Sequence, residues 1–348
     1  MNKIIDLRTD TITRPTPAIL AAMQTATQGD DSRDGDATVM KLEALAAART
    51  GKEAGLYMPS GTMTNLVAVL AHTPRAGEVL LERGAHMLNT ELGGLAAVAG
   101  VFYKGIAGVR GAMDHTALRE TVRPMTRNNF GTALICMETT HNGAGGTVLP
   151  LAHMQMVHEL AQRHGIPVHT DGARLFNAAV ALGVPAAEIS RHTDSVCFCV
   201  SKGLSAPVGS VLCGPRAFIE RARTFRRMVG GNMRQAGSIA AAGIVGLETM
   251  VGRLAEDHAT AKRLAVGMHA IDASLVDPQD VETNIVRINV RGSGRSAAQW
   301  SEDFRAHGIA VSPADSGSLR FVTHRHISDM DVDAAIAACS AIWNPRGT

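Results

Sequence analysis

The chain has 348 residues, with 34 Lys and Arg against 32 Asp and Glu, and a net charge of +2 that predicts no attraction to nucleic acid or to anionic membranes. It holds 35 glycines but only 3% aromatic residues, which favours an α/β fold with many tight strand-to-helix turns over a sandwich. Five cysteines, few and odd in number, argue for a reducing, cytoplasmic setting; no run reaches the roughly 18 apolar residues of a membrane span, and MNKIIDLRTD carries no signal-peptide pattern.

After an extended start, TVMKLEALAAARTG (38–51) repeats apolar side chains at helical spacing and stops at a glycine. GLYM (55–58) reads as a strand that runs into PSGTMTNLVAVLAHT (59–73), a turn followed by an apolar helix. Strand and helix signals then alternate through EVLLE (78–82), ALICME (133–138), the helix MQMVHELAQRHG (154–165), IPVHT (166–170) and SVCFCV (195–200), with GSVLCG (209–214) as a neighbouring strand. Strands that are apolar almost throughout and separated by helices imply a mainly parallel sheet covered on both faces. From residue 233 two long helices follow one another, then NIVRINV (284–290), a helix near 298–307, GIAVSP (308–313), SLRFVTH (318–324) and a last helix from about 328. The expected organisation is a large domain over 1–249, including an extended N-terminal segment, and a smaller α+β domain over 250–348.

In open α/β sheets ligands gather at the carboxyl ends of the strands, and several polar features fall there. The amides of Gly61 and Thr62 in PSGT can hold a phosphate at a helix N-terminus, although a plain Ser/Thr cap accounts for the same residues. VHTDGAR sets Asp171 and Arg174 after a strand, where Asp-Gly is also ordinary turn chemistry. METTHNGAGG, a third strand end with His141 and Asn142, makes neither GxGxxG nor GK[ST], so a dinucleotide site and a Walker loop are poorly supported. Lys202 follows SVCFCV, and Gly203, Ser205, Ala206 and Gly209 are too small to cover it. Such a lysine is either a solvated loop residue or an amine that attacks a carbonyl. It comes 31 residues after Asp171, about one helical crossover, which sets the two at the mouths of neighbouring strands. An imine-forming lysine, an aspartate for a pyridine nitrogen and a helix N-terminus for a phosphate are what pyridoxal phosphate requires. A metal-dependent hydrolase built on His141, His169, Asp171 or the His324 and His326 pair has no HExxH or paired CxxC behind it, and no metal is expected.

DLRTDTITRPT (6–16), SGTMTNLVAVLAH (60–72), AHMLNTELGG (85–94), ETTHNGAGGTVLPL (138–151), HTDGARLFNA (169–178), SKGLSAPVGSVL (201–212) and GGNMRQAG (230–237) resemble, in order and over nearly the whole chain, the signature stretches of the low-specificity L-threonine aldolase family. The resemblance implies the PLP-dependent transferase-like fold, aspartate aminotransferase fold type I, in the group of β-eliminating lyases. It implies cleavage of β-hydroxy-α-amino acids to glycine and an aldehyde, with a β-eliminating lyase or a racemase on the same scaffold as the alternative. Lys202 would bond to the cofactor, Asp171 pair with its ring nitrogen, and Gly61 and Thr62 hold its phosphate. His86 would stack on the ring and take part in proton transfer. Thr9, Arg174 and Arg320 would meet the substrate carboxylate, for which a guanidinium supplies two parallel hydrogen bonds. Arg234 would approach either the cofactor or a dimer contact. The family builds its site across a subunit interface, which implies a homodimer or homotetramer with shared sites.

Two stretches depart from the family pattern. Where the family usually reads GDDVYG and lends a tyrosine to the neighbouring site, this chain reads GDDSRDGD, with Ser32 and Arg33. Where many members carry a histidine near the β-substituent, it reads TRNNFG (126–131). Arg33 is therefore a candidate to receive an anionic β-substituent such as the carboxylate of 3-hydroxyaspartate, or it is a solvated loop residue.

Overall fold

The computed structural model describes residues 4–343, which divide into two compact units. The larger comprises Arg14–Ala144 and Val148–Val251. Its seven-stranded sheet runs in the order Ala54–Met58, Ser210–Gly214, Ser195–Cys199, Val168–Asp171, Thr132–Glu138, Glu78–Glu82, Phe102–Ile106. Only Ser210–Gly214 is antiparallel to its neighbours, so the other six strands all end on one edge. Every residue of Glu78–Glu82 and of Ser195–Cys199 is buried, as expected of strands covered on both faces.

Local chemistry sets most element boundaries. The helix Ala37–Thr50 starts where Asp36 accepts from the amides of Thr38 and Val39, and it stops at Gly51. The strand expected at 166–170 runs instead from Val168 to Asp171, because the Ile166 amide still donates to Ala161 and closes the preceding helix. That helix, Leu151–Arg163, begins directly after Pro150, three residues earlier than its apolar spacing indicates. Several elements escaped the sequence reading, and three of them show why. Pro17–Thr25 is helical where an extended start was expected; Thr16 caps the Ile19 amide and Pro17 opens the first turn, a helix-start signal that was legible. Arg216–Met228 buries Phe218, Ile219 and Ala222 at helical spacing. The edge strand Phe102–Ile106 exposes its first three residues and so lacks an apolar run.

Among the described residues, the smaller unit contains 252–343, Gly145–Thr147 and the N-terminal segment 4–13. This corrects the expectation that the N-terminus belongs with the large domain. Ile5–Asp6 pairs in parallel with Ile309–Ala310, and Leu7 is buried with Trp300, Phe304 and Phe321. A three-stranded antiparallel sheet, Ile285–Asn289, Ser318–Val322, Ser312–Asp315, completes the unit. GIAVSP, read as one strand, divides at Val311 into partners of two different sheets. Among the described residues no single helix is long and apolar enough to cross a membrane.

Candidate active site

In the larger unit, strand ends bring together several of the polar residues singled out above. Asp171 is the last residue of its strand and lies in register with Cys197 on the next. Its Oδ1 accepts from the Ala173 amide (3.0 Å) and its Oδ2 from Asn65 Nδ2 (2.9 Å). Lys202 sits half-buried three residues beyond Cys199, in the loop returning to Ser210–Gly214, with Gly203, Leu204, Ser205 and Ala206 buried after it. The two groups thus stand at the ends of adjacent strands, the juxtaposition their spacing implied. In the helix Gly61–His72, Ser60 Oγ accepts from the Met63 amide (3.2 Å), while the Gly61 and Thr62 amides have no acceptor within the helix. A Cβ at Gly61 would come 2.9 Å from Cys199 Sγ, so this helix start packs on the strand end that leads to Lys202. Arg174 is buried at the start of Leu175–Leu182.

His86 follows Glu78–Glu82 and is held from two sides. Its amide donates to Glu138 Oε2 (2.6 Å), and its Nδ1 lies 2.8 Å from Glu91 Oε1. Glu138 also accepts from the Asn142 amide (2.7 Å), which fastens two strand-end loops together. The hydrogen bond to Glu91 holds the His86 imidazole above its ordinary range, and burial raises both Glu91 and Glu138. Glu91, Asn65 and Glu138 were not singled out from the sequence; a buried amide inside a helix and a glutamate five residues after a histidine were the only signals. His141 is buried against Glu82 (3.1 Å) rather than open to a ligand. The remaining histidines of the metal reading are dispersed: His169 is buried in the larger unit, and His324 and His326 belong to the smaller one.

Behind Asp171, burial lowers His169 to about 4 and His72 to about 3 from an ordinary value of 6.5. Both are depressed in the fold, so their contribution to stability is complete above pH 6.5 and falls as the pH drops towards those values. Each is expected to cost up to about 1.4 kcal/mol per pH unit in that window. Denaturant unfolding at pH 7, 6 and 5 should show this slope, and His72→Gln should remove about half of it; a parent profile that stays level would contradict the assignment.

In the smaller unit Thr9 caps a short 3₁₀ turn, its Oγ1 accepting from the Thr11 amide (3.2 Å), and Arg320 Nη2 donates to the Arg8 carbonyl (3.1 Å) beside it. These two are brought close to each other within that unit. Arg33 and Arg234 also meet, at Asp30 (3.9 and 3.8 Å), with side chains 79% and 71% exposed. The loop GDDSRDGD is tied to the GGNMRQAG segment by the Ser32 hydroxyl, which donates to the Met233 carbonyl, and to the helix Arg216–Met228 by Asp31, which pairs with the buried Arg226.

A profile of the β-eliminating lyases matches residues 6–291. The chain belongs to that family. It is 41% identical to low-specificity L-threonine aldolase 1 of Arabidopsis thaliana, over 94% of this chain and 93% of that protein. It is 39% identical to the low specificity L-threonine aldolase of Escherichia coli K12, over 93% and 95%. Among solved structures, the threonine aldolase of Leishmania major superposes with a TM-score of 0.83 at 17% identity, covering 97% of this chain and 99% of that one. The fold of this β-eliminating lyase is therefore the fold type I expected from its sequence, α/β with a mainly parallel central sheet.

Proposed function

We propose that this protein is a pyridoxal-phosphate-dependent aldolase that cleaves L-threonine, L-allo-threonine and related β-hydroxy-α-amino acids to glycine and an aldehyde. The observation that carries the reading is an acidic side-chain cluster at the strand ends, where the strand ending in Asp171 neighbours the one that leads into the Lys202 loop. His86, Glu91 and Asp171 offer a nitrogen and two carboxylate oxygens within 4.8 Å of one another. Two buried carboxylates with one neutral amide between them suit a cationic heterocycle, and Asp171 keeps acceptor capacity beyond its two donors. The donor set therefore fits the cofactor, and the relatives' names favour aldol cleavage among the reactions the fold supports.

When bound, pyridoxal phosphate supplies an electron sink that lets a bond at the substrate Cα break heterolytically. Lys202 Nζ is the proposed covalent anchor, Asp171 the partner of the ring nitrogen, and the Gly61 and Thr62 amides the phosphate cradle. Arg174 is proposed to take the substrate carboxylate, joined on the family resemblance by Arg320 and Thr9. Holding that carboxylate turns the Cα–Cβ bond rather than Cα–H towards the breaking geometry. His86 has Nδ1 committed to Glu91, so its Nε2 is the proposed acceptor for the β-hydroxyl proton, directly or through a water.

A shared-site homodimer or homotetramer belongs to the same proposal. Leu92, next to Glu91, is 99% exposed, an apolar side chain that a second copy would cover. A cytoplasmic setting is supported by five buried cysteines, all unpaired. Arg234 is proposed at the subunit contact or near the cofactor.

Product analysis tests the function. L-Threonine should yield glycine and acetaldehyde; ammonia with a keto acid would mark a β-eliminating lyase, and D-allo-threonine, the product of inversion at Cα alone, a racemase. With Arg33→Ala, kcat/KM for 3-hydroxyaspartate should fall about tenfold more than for threonine or phenylserine, the scale of one lost charge-assisted hydrogen bond. Equal losses on all three would remove Arg33 from substrate selection.

A further inference from the structure

A chain of buried hydrogen bonds runs from the back of the sheet to the candidate site, and its donor directions can be worked out. Asn65 Nδ2 lies 2.8 Å from Glu91 Oε1 and 2.9 Å from Asp171 Oδ2. Ionised carboxylates only accept, so the NH₂ end of the amide must face them; the reversed amide would set an oxygen against two anionic oxygens. Asn65 Oδ1 therefore faces His169 Nε2 (3.2 Å), with Cys197 Sγ also at 3.2 Å. That requires the Nε2–H form of His169, which leaves Nδ1 to accept from the Ser195 hydroxyl (2.9 Å). Ser195 Oγ in turn accepts from His72 Nε2–H (2.7 Å). Each member donates towards the site, and the series ends on two carboxylates, one of which also takes the Nδ1 hydrogen of His86 (2.8 Å). Burial keeps His169 and His72 neutral, which preserves that direction. Hydrogen bonds aligned head to tail polarise one another, so Asn65 is a stronger donor to the carboxylates than an isolated amide.

We propose that Asn65 and Glu91 are positioning residues: the single Asn65 carboxamide bridges Asp171 and Glu91 into one unit, and Glu91 carries that order to His86. The bridge lets two like charges sit side by side, fixes the direction of the Asp171 carboxylate and sets the ring plane of His86. The consequence for the cofactor rests on the function proposed above; the bridge itself does not.

A double-mutant cycle on the full chain tests it, using Asn65→Ala, Glu91→Gln and the pair. Removing the amide leaves two unscreened carboxylates, so Asn65→Ala should weaken pyridoxal phosphate binding by about 10- to 100-fold, the scale of a lost hydrogen bond to a charged group. Glu91→Gln removes one charge, so the pair should bind within about threefold of Glu91→Gln alone. The second reading is the thermal unfolding midpoint of the cofactor-free protein, where Glu91→Gln should likewise recover most of the loss caused by Asn65→Ala. Losses that multiply in both measurements would mean that Asn65 only fills space, and would overturn the proposal. If the parent binds no pyridoxal phosphate, the function has failed, and the unfolding cycle still decides the bridge.

Discussion

Lys202→Ala is expected to abolish cleavage of β-hydroxy amino acids, with kcat lower by a factor on the order of 10⁴ or more, the scale at which loss of a bond-forming residue is felt. The variant should also purify without visible absorbance when supplied with pyridoxal phosphate. The reason lies in the loop from Val200 to Gly209. It places one half-buried amine just beyond Ser195–Cys199, next to the strand that ends in Asp171. Lys202→Arg retains the positive charge and should be equally inactive, because a guanidinium does not shed its proton to expose a lone pair. Borohydride reduction of the parent followed by peptide mapping should find the cofactor on the peptide containing Lys202. A coloured, active Lys202→Ala protein, or a label on another lysine, would remove the assignment.

The largest expected effect on stability is at Gly209, where that loop rejoins the sheet. Gly209 has φ +113, and a Cβ there would stand 2.3 Å from Tyr57 Cε2. Tyr57 is buried and donates its hydroxyl to the Val208 carbonyl (3.0 Å), so it has little freedom to yield. The Gly209 carbonyl accepts from the Val200 amide (3.1 Å) and from Ser201 Oγ (3.2 Å), which closes the base of the Lys202 loop. Backbone strain and overpacking together give an expected loss of about 3 kcal/mol for Gly209→Ala, with reduced cofactor loading because the loop shifts. Gly183→Ala is the control. Gly183 has φ +66 with nothing within 4 Å of the added methyl, so only the strain remains, about 1 kcal/mol. Equal unfolding midpoints for the two variants would show that Tyr57 gives way.

Much of this was legible in the chain. Strands buried on both faces announce themselves by unbroken apolar runs, which is why Glu78–Glu82 and Ser195–Cys199 fall where EVLLE and SVCFCV indicate. The SGT turn, the TDG strand end and the lysine are local patterns too, each tied to a strand exit, so their gathering at one edge of a parallel sheet follows from chain order. Phe102–Ile106 was missed because an edge strand keeps one side in water and shows no such run. Asp6 and Leu7 were assigned to the wrong unit because nothing local tells an extended segment which distant strand it will join.

Sequence by itself determined the α/β class, the succession of the main strands along the chain and the family, and it singled out the lysine, aspartate and SGT turn proposed to hold the cofactor. Tertiary structure alone decided that Asn65 stands between Asp171 and Glu91, that Glu91 holds His86, and that the N-terminal strand packs with the C-terminal unit. The physical reason is range. Periodicity, caps and turns depend on neighbours a few residues away, whereas Asn65 meets partners 26 and 106 residues distant, which only packing brings within hydrogen-bonding reach.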